Sequence, residues 1–177
     1  TPQEFTQLLA QAGYATDPLF SPDFEALLEV AVGAGVTVGV HTKALRMPRR
    51  VMDLMSSGGG TPQSYVTVSV DAGSNEIYNA VHAVRNGSAR LYDDVLGNVT
   101  SLLWRRDGAG WGANGRPFEV AATYLVNRVN AEKVDLVRFI TAYRRAGCDV
   151  LRFAFPQVPR GGAEILMPDF IGCLVTD

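Results

Sequence analysis

Along residues 36–43, "VTVGVHTK", apolar and polar positions alternate. Val36, Val38 and Val40 fall on one face, and Thr37, Gly39, His41 and Lys43 on the other. Strict alternation of this kind predicts a half-buried β-strand. The same period recurs in "SYVTVSVDA" (64–72), where Val66, Val68 and Val70 oppose Tyr65, Thr67, Ser69 and Asp71. "FEVAATYLVN" (118–127) sets Phe118, Val120, Ala122, Tyr124 and Val126 against Glu119, Ala121, Thr123, Leu125 and Asn127. In "DVLRFAFPQ" (149–157), Leu151, Phe153 and Phe155 oppose Arg152 and Ala154. Between these strands the pattern has helical character. It predicts a helix over "PRRVMDLMSS" (48–57), a short one from Asn75 to about Val84, and a longer one from about Arg90 to Arg106. A fourth covers "AEKVDLVRFITAYRRAG", with Asn130 as its N-cap and Gly147 as its stop. The opening "TPQEFTQLLAQAG" carries helix signals in Thr1, Pro2, Glu4 and Gly13, yet "FTQLLAQ" also serves as a strand feeding a turn.

Strand–helix alternation predicts a parallel sheet of βαβ units, open or closed into a barrel. A sheet covered on both faces reads apolar on both. Here one face is apolar, and the other turns increasingly polar toward the C-terminal ends of the strands. The expected fold is therefore α/β, a partial (β/α) TIM-like barrel with helices outside and polar side chains lining a cavity. Chemistry in barrels sits at the C-terminal strand ends. That makes Thr16 and Asp17, His41 and Lys43, Ser69 and Asp71, Asn127, and Arg152 the candidate site residues.

Composition narrows the class. The 177 residues are 47 % hydrophobic and 19 % charged, which suits one globular domain over 1–177, with 158–177 as a C-terminal extension and "DFIGCLV" as a possible last strand. With a net charge of −2 and no basic stripe, nucleic-acid binding has no electrostatic support. Two cysteines, Cys148 and Cys173, exclude a disulfide scaffold and fit a reducing, cytoplasmic setting. No signal peptide and no membrane-spanning apolar run are visible.

Each candidate also has an ordinary reading. Asp17 before Pro18 suits a turn, Ser69 and Asp71 suit satisfied polar groups at a strand end, and His41 suits a packed histidine. Lys43 beside Asp71 at a barrel mouth would pair with an acidic substrate group. Arg152 inside an apolar strand needs an anion or several acceptors. Glu119, near the other end of its strand, is assigned a structural role. "SSGGGTP" precedes a strand instead of opening a helix, so it lacks phosphate-loop geometry. His41, His82 and the two cysteines give no zinc-ligand spacing. Ser69, His41 and Asp71 lack a nucleophile elbow.

"ATDPL" (15–19) with "SPDFEALLEVAVGAGVTVGVHTKA", "VTVSVDAGSNEIYNAVHAV", "FEVAATYLVN" and "GCDVLRFAFPQVPRG" resemble, in order, segments of radical S-adenosylmethionine (SAM) enzymes. The matching family segments are Gly-Gly-Glu-Pro-Leu with a strand ending Thr-Asn-Gly, a fourth strand ending Ser-x-Asp-Ala, and the fifth and sixth strands. Within that superfamily, "ATDPL" and "RFAFPQ" are similar to the group containing the cytosylglucuronate decarboxylase of blasticidin-type antibiotic biosynthesis. The resemblance implies that Ala15, Thr16 and Asp17 hold the SAM amino group. Ser69 and Asp71 would lie near its ribose and carboxylate or near the substrate, Asn127 near the adenosyl moiety, and Arg152 near the carboxylate or ribose. His41 and Lys43 would meet an anionic small-molecule substrate such as a sugar acid or nucleoside. A [4Fe–4S] cluster, fed by a flavodoxin- or ferredoxin-type electron donor, would cleave SAM to a 5′-deoxyadenosyl radical. The family's Cys-x-x-x-Cys-x-x-Cys loop is absent here, so the resemblance expects a chain lacking its N-terminal part and inactive as it stands. Two further classes remain open: an aldolase or isomerase using Lys43 and Asp71, and a SAM- or nucleotide-binding remnant without turnover.

Overall fold

A computed structural model describes residues 17–56, 63–110 and 118–155. After a 3-10 turn, Pro18–Phe20, the order is α1 (Phe24–Gly33), β1 (Gly39–Thr42), α2 (Arg49–Ser56), β2 (Tyr65–Ser69), α3 (Asn75–Val81), α4 (Leu91–Gly108), β3 (Glu119–Leu125), α5 (Lys133–Ala146) and β4 (Val150–Ala154). All four strands are parallel and adjacent in chain order, β1-β2-β3-β4. The fold is α/β, as the alternation predicts. Among the described residues the sheet is four-stranded and open. The expectations for residues 1–16, for the glycine run at 58–60 and for 158–177, Cys173 included, lie outside the described residues.

The strand faces follow the two-residue period. Val40, Val66, Val68, Val120, Ala122 and Tyr124 are each 3 % exposed or less and pack with helix residues such as Leu28, Val95, Leu102 and Phe139. In register on the opposite face stand Gly39, Tyr65 and Glu119, then His41, Thr67 and Ala121, then Ser69, Thr123 and Arg152. The strands are shorter than their sequence patterns by three or four residues, because ladder pairing stops while alternation continues into the loops. Fully burying one such aliphatic side chain contributes about 1.5–3 kcal/mol, so the apolar face sets which side of the sheet the helices cover.

α5 begins at Lys133 with Glu132 as its cap position, not at Asn130. Asn130 is fully buried and bonds strand ends instead, a role described below. Gly147 does end α5, in the left-handed region at φ 97°, where glycine carries no Cβ penalty.

At the N-terminal end of β3 and β4, Arg106 is 1 % exposed and ion-paired to Asp149. Its Nη1 also donates to Phe118 O at 3.3 Å, its Nε donates to Asp107 Oδ1 at 2.9 Å, and its guanidinium lies 5.8 Å from the Phe118 ring centroid. Asp149 Oδ2 further accepts from Val120 N at 2.8 Å, so the pair ties α4 to the start of two strands. Removing one partner strands the other charge in a dry site. Arg106→Ala is expected to lower the unfolding free energy by about 3–5 kcal/mol in urea titrations.

Candidate functional site

The C-terminal ends of β1, β2 and β3 form a rim, and Asp17 anchors its first corner. Asp17 caps the 3-10 turn by accepting from Leu19 N at 3.1 Å, and its Oδ2 accepts from Lys43 N at 2.7 Å. The Thr42 hydroxyl sits 2.9 Å from both carboxylate oxygens. Three protons therefore occupy a group with about four acceptor positions. Asp17 holds the end of β1 and the turn together, with little capacity left for a ligand. Thr42 Oγ1 in turn accepts from Ala44 N at 2.8 Å, and Ala44 adopts φ 54°. A non-glycine residue there costs of order 1 kcal/mol or more, and such outliers cluster at functional sites.

Asp71 forms the second corner, also with positive φ, 59°. Its Oδ1 accepts from Leu125 N at 2.6 Å, and its backbone carbonyl accepts from Asn130 Nδ2 at 2.8 Å. Asn130 Nδ2 also donates to Leu125 O at 2.9 Å, and Asn130 Oδ1 accepts from Asn127 N at 2.7 Å. Next along, Asp135 from α5 accepts from Gly73 N at 2.7 Å and Ser74 Oγ at 3.1 Å. The Tyr124 hydroxyl shares its one proton between Asp135 Oδ2 at 2.8 Å and Asn130 O at 2.6 Å. Gly73 fits so closely that an added Cβ would meet Asp135 O at 2.1 Å. Burial pushes the Asp71 carboxyl above its ordinary range, opposed by the Leu125 bond and by nearby His82 and Lys43.

His82 is a rim residue that does not stand among the candidate site residues of the sequence. Tyr78 and His82 are four apart at the end of α3, hence on one face, and that spacing was the available signal. Their ring centroids are 4.3 Å apart, and His82 Nε2 lies 3.3 Å from Val70 O. Burial, with Lys43 adding to it, holds the imidazole below its usual value, while the Val70 bond and Asp71 pull it up. The Tyr78 hydroxyl is buried with no hydrogen-bond partner among the described residues. Burial first, then Asp71 and Asp17, push it up to about 12.

The other candidates divide. Lys43 is exposed and Ser69 half-buried at the rim, on the face away from the helices, beside the exposed Leu125. Asn127 is held in a local turn, accepting from Val129 N at 2.9 Å. His41 and Arg152 point elsewhere. Arg152 is exposed, not buried, and donates to Thr67 Oγ1 at 3.0 Å and Glu119 Oε1 at 2.8 Å, toward the N-terminal end of the sheet. His41 Nε2 lies 3.3 Å from the Tyr65 hydroxyl in the same region. Ala15 and Thr16 fall outside the described residues. Among the described residues no group of three or more His, Cys, Asp or Glu is arranged to hold a metal. Cys148 precedes β4, at the end of the sheet opposite the rim, and burial raises its thiol to about 12. No described helix is long and apolar enough to cross a membrane.

If Lys43, Asp71 and His82 share one electrostatic site, their mutual effects have fixed signs. Lys43→Met is expected to raise the His82 pKa and Asp71→Asn to lower it, as read from the imidazole proton shifts in an NMR pH titration.

No family model matches this chain, and no curated protein matches it. Solved structures do, among them SuiB of Streptococcus suis, with a TM-score of 0.58 at 10 % identity over 91 % of this chain. The chain spans 35 % of that neighbour's length. At such identity the likeness concerns the fold alone: a parallel β/α arrangement shared with a longer protein.

Proposed function

We propose that this chain is part of a (β/α) barrel enzyme of the radical SAM type, and that its rim binds SAM. The observation that carries the reading is the gathering of Lys43, Ser69, Asp71 and Leu125 at the C-terminal strand ends, on the face that no described helix covers. The exposed Lys43 ammonium suits the SAM carboxylate. The Ser69 hydroxyl and the second Asp71 oxygen suit ribose hydroxyls, and Leu125 offers an apolar shelf to the adenine. Asp17 enters as the clamp that sets the Lys43 backbone, since its own acceptors are nearly filled. The described residues supply no ligands for a [4Fe–4S] cluster, so reductive cleavage of SAM has no seat among them.

A second reading rests on the exposure of Lys43 beside Asp71, which also suits an aldolase-type imine lysine. Calorimetric titration of the chain with SAM separates the two. Binding is expected, weakened about tenfold by Lys43→Met through loss of one charge-assisted contact. A folded chain that ignores SAM but forms a borohydride-trapped adduct on Lys43 with a carbonyl compound would overturn the SAM reading.

A further inference from the structure

At the opposite end of the uncovered face lies a second polar concavity of about 330 Å³, lined by His41, Gln63, Ser64, Tyr65, Glu119 and Arg152. It owes nothing to the rim's Lys43, Asp71 or His82. All four strands contribute: His41 from β1, Tyr65 from β2, Glu119 from β3, and Arg152 reaching across from β4.

Its charges are the informative feature. The side chains of Arg152 and Glu119 are 44 % and 40 % exposed while paired at 2.8 Å, so both charges border the concavity. Among the described residues, the bonds of Arg152 to Thr67 and Glu119 use two of its five N–H donors, and the second of them takes Oε1 of Glu119. A free anion brought to the guanidinium would also meet the Glu119 carboxylate, and a free cation brought to Glu119 would meet Arg152. A ligand carrying both charges on neighbouring atoms satisfies each. His41 Nε2 and the Tyr65 hydroxyl, 3.3 Å apart with rings edge to face, stand on the adjacent strands and supply a further donor.

We propose that this concavity binds the zwitterionic head of an α-amino acid. The carboxylate takes the free guanidinium edge of Arg152, with His41 or Tyr65 donating to it, and the ammonium takes Glu119. The site is independent of what the rim holds, so either assignment can fail alone.

The test is an NMR titration of the whole chain with L-alanine, acetate and methylammonium as separate probes. Alanine is expected to shift the signals of His41, Tyr65 and Arg152 saturably, at least about tenfold more tightly than either half-ligand, because each adds only one charge-assisted contact. Glu119→Gln is expected to bring alanine down to acetate's affinity, and Arg152→Gln to abolish both. Both variants should keep the wild-type unfolding midpoint, since a half-exposed pair contributes little to stability. Adding saturating SAM is expected to leave alanine binding unchanged. The proposal is overturned if alanine does not saturate in the wild type, if acetate binds as well as alanine, or if the shifts fall at Lys43 and Asp71. Competition by SAM overturns it as well, because the recognised zwitterion would then be SAM's own methionine group.

Discussion

The buried polar knot formed by Asn130, Asp135, Tyr124 and the backbone around Asp71 is the constraint on which the rim depends. Neither Asn130 nor Asp135 exposes more than 1 % of its surface, so each must find partners inside or destabilise the fold. They do so by gathering backbone groups that the parallel ladder leaves unpaired where β2 and β3 end. The left-handed turn at Asp71 and the tight passage through Gly73 persist because these bonds over-determine them. The knot therefore converts buried polar groups into a defined shape at the C-terminal edge, and the rim side chains inherit that shape.

The uncovered face consequently has two chemically different ends. At the rim, Lys43 and Asp71 sit beside backbone held in positive φ. At the floor, Arg152, Glu119, His41 and Tyr65 pair in cross-strand fashion. The charges at the rim are shaped by burial and by one another, as the raised Asp71 and lowered His82 indicate. Those at the floor are half exposed and mutually neutralising. A ligand recognised at one end need not resemble one recognised at the other.

Much of this was legible in the sequence, because side-chain alternation is a local property. The apolar face of each strand and the position of Asp71 at a strand end follow from a period of two residues, and the helices between strands follow from the longer helical period. What alternation cannot convey is the reach of a long side chain. Arg152 shares a register level with Ser69, yet its guanidinium travels toward Glu119, which joins the assigned structural residue to a proposed site residue. Asn130 illustrates a second limit. Its residue type suits a helix cap, but besides local bonds with Leu125 and Asn127 its side chain donates to the Asp71 carbonyl, 59 residues away, and no local rule sees that bond. Asp17 is a third case: turn residue and rim residue were posed as alternatives, and its bonds to Leu19, Thr42 and Lys43 make it both.

Amide hydrogen exchange at Gly73 and Leu125 tests the role of the knot most directly. Both N–H groups donate to carboxylates of the knot, to Asp135 and Asp71 respectively. Protection near that of the buried β3 amides is expected at both, although Gly73 lies in a loop. Exchange of the Gly73 amide at the rate of an unprotected loop, with β3 still protected, would contradict the account, because the rim would then lack the scaffold on which its chemistry rests.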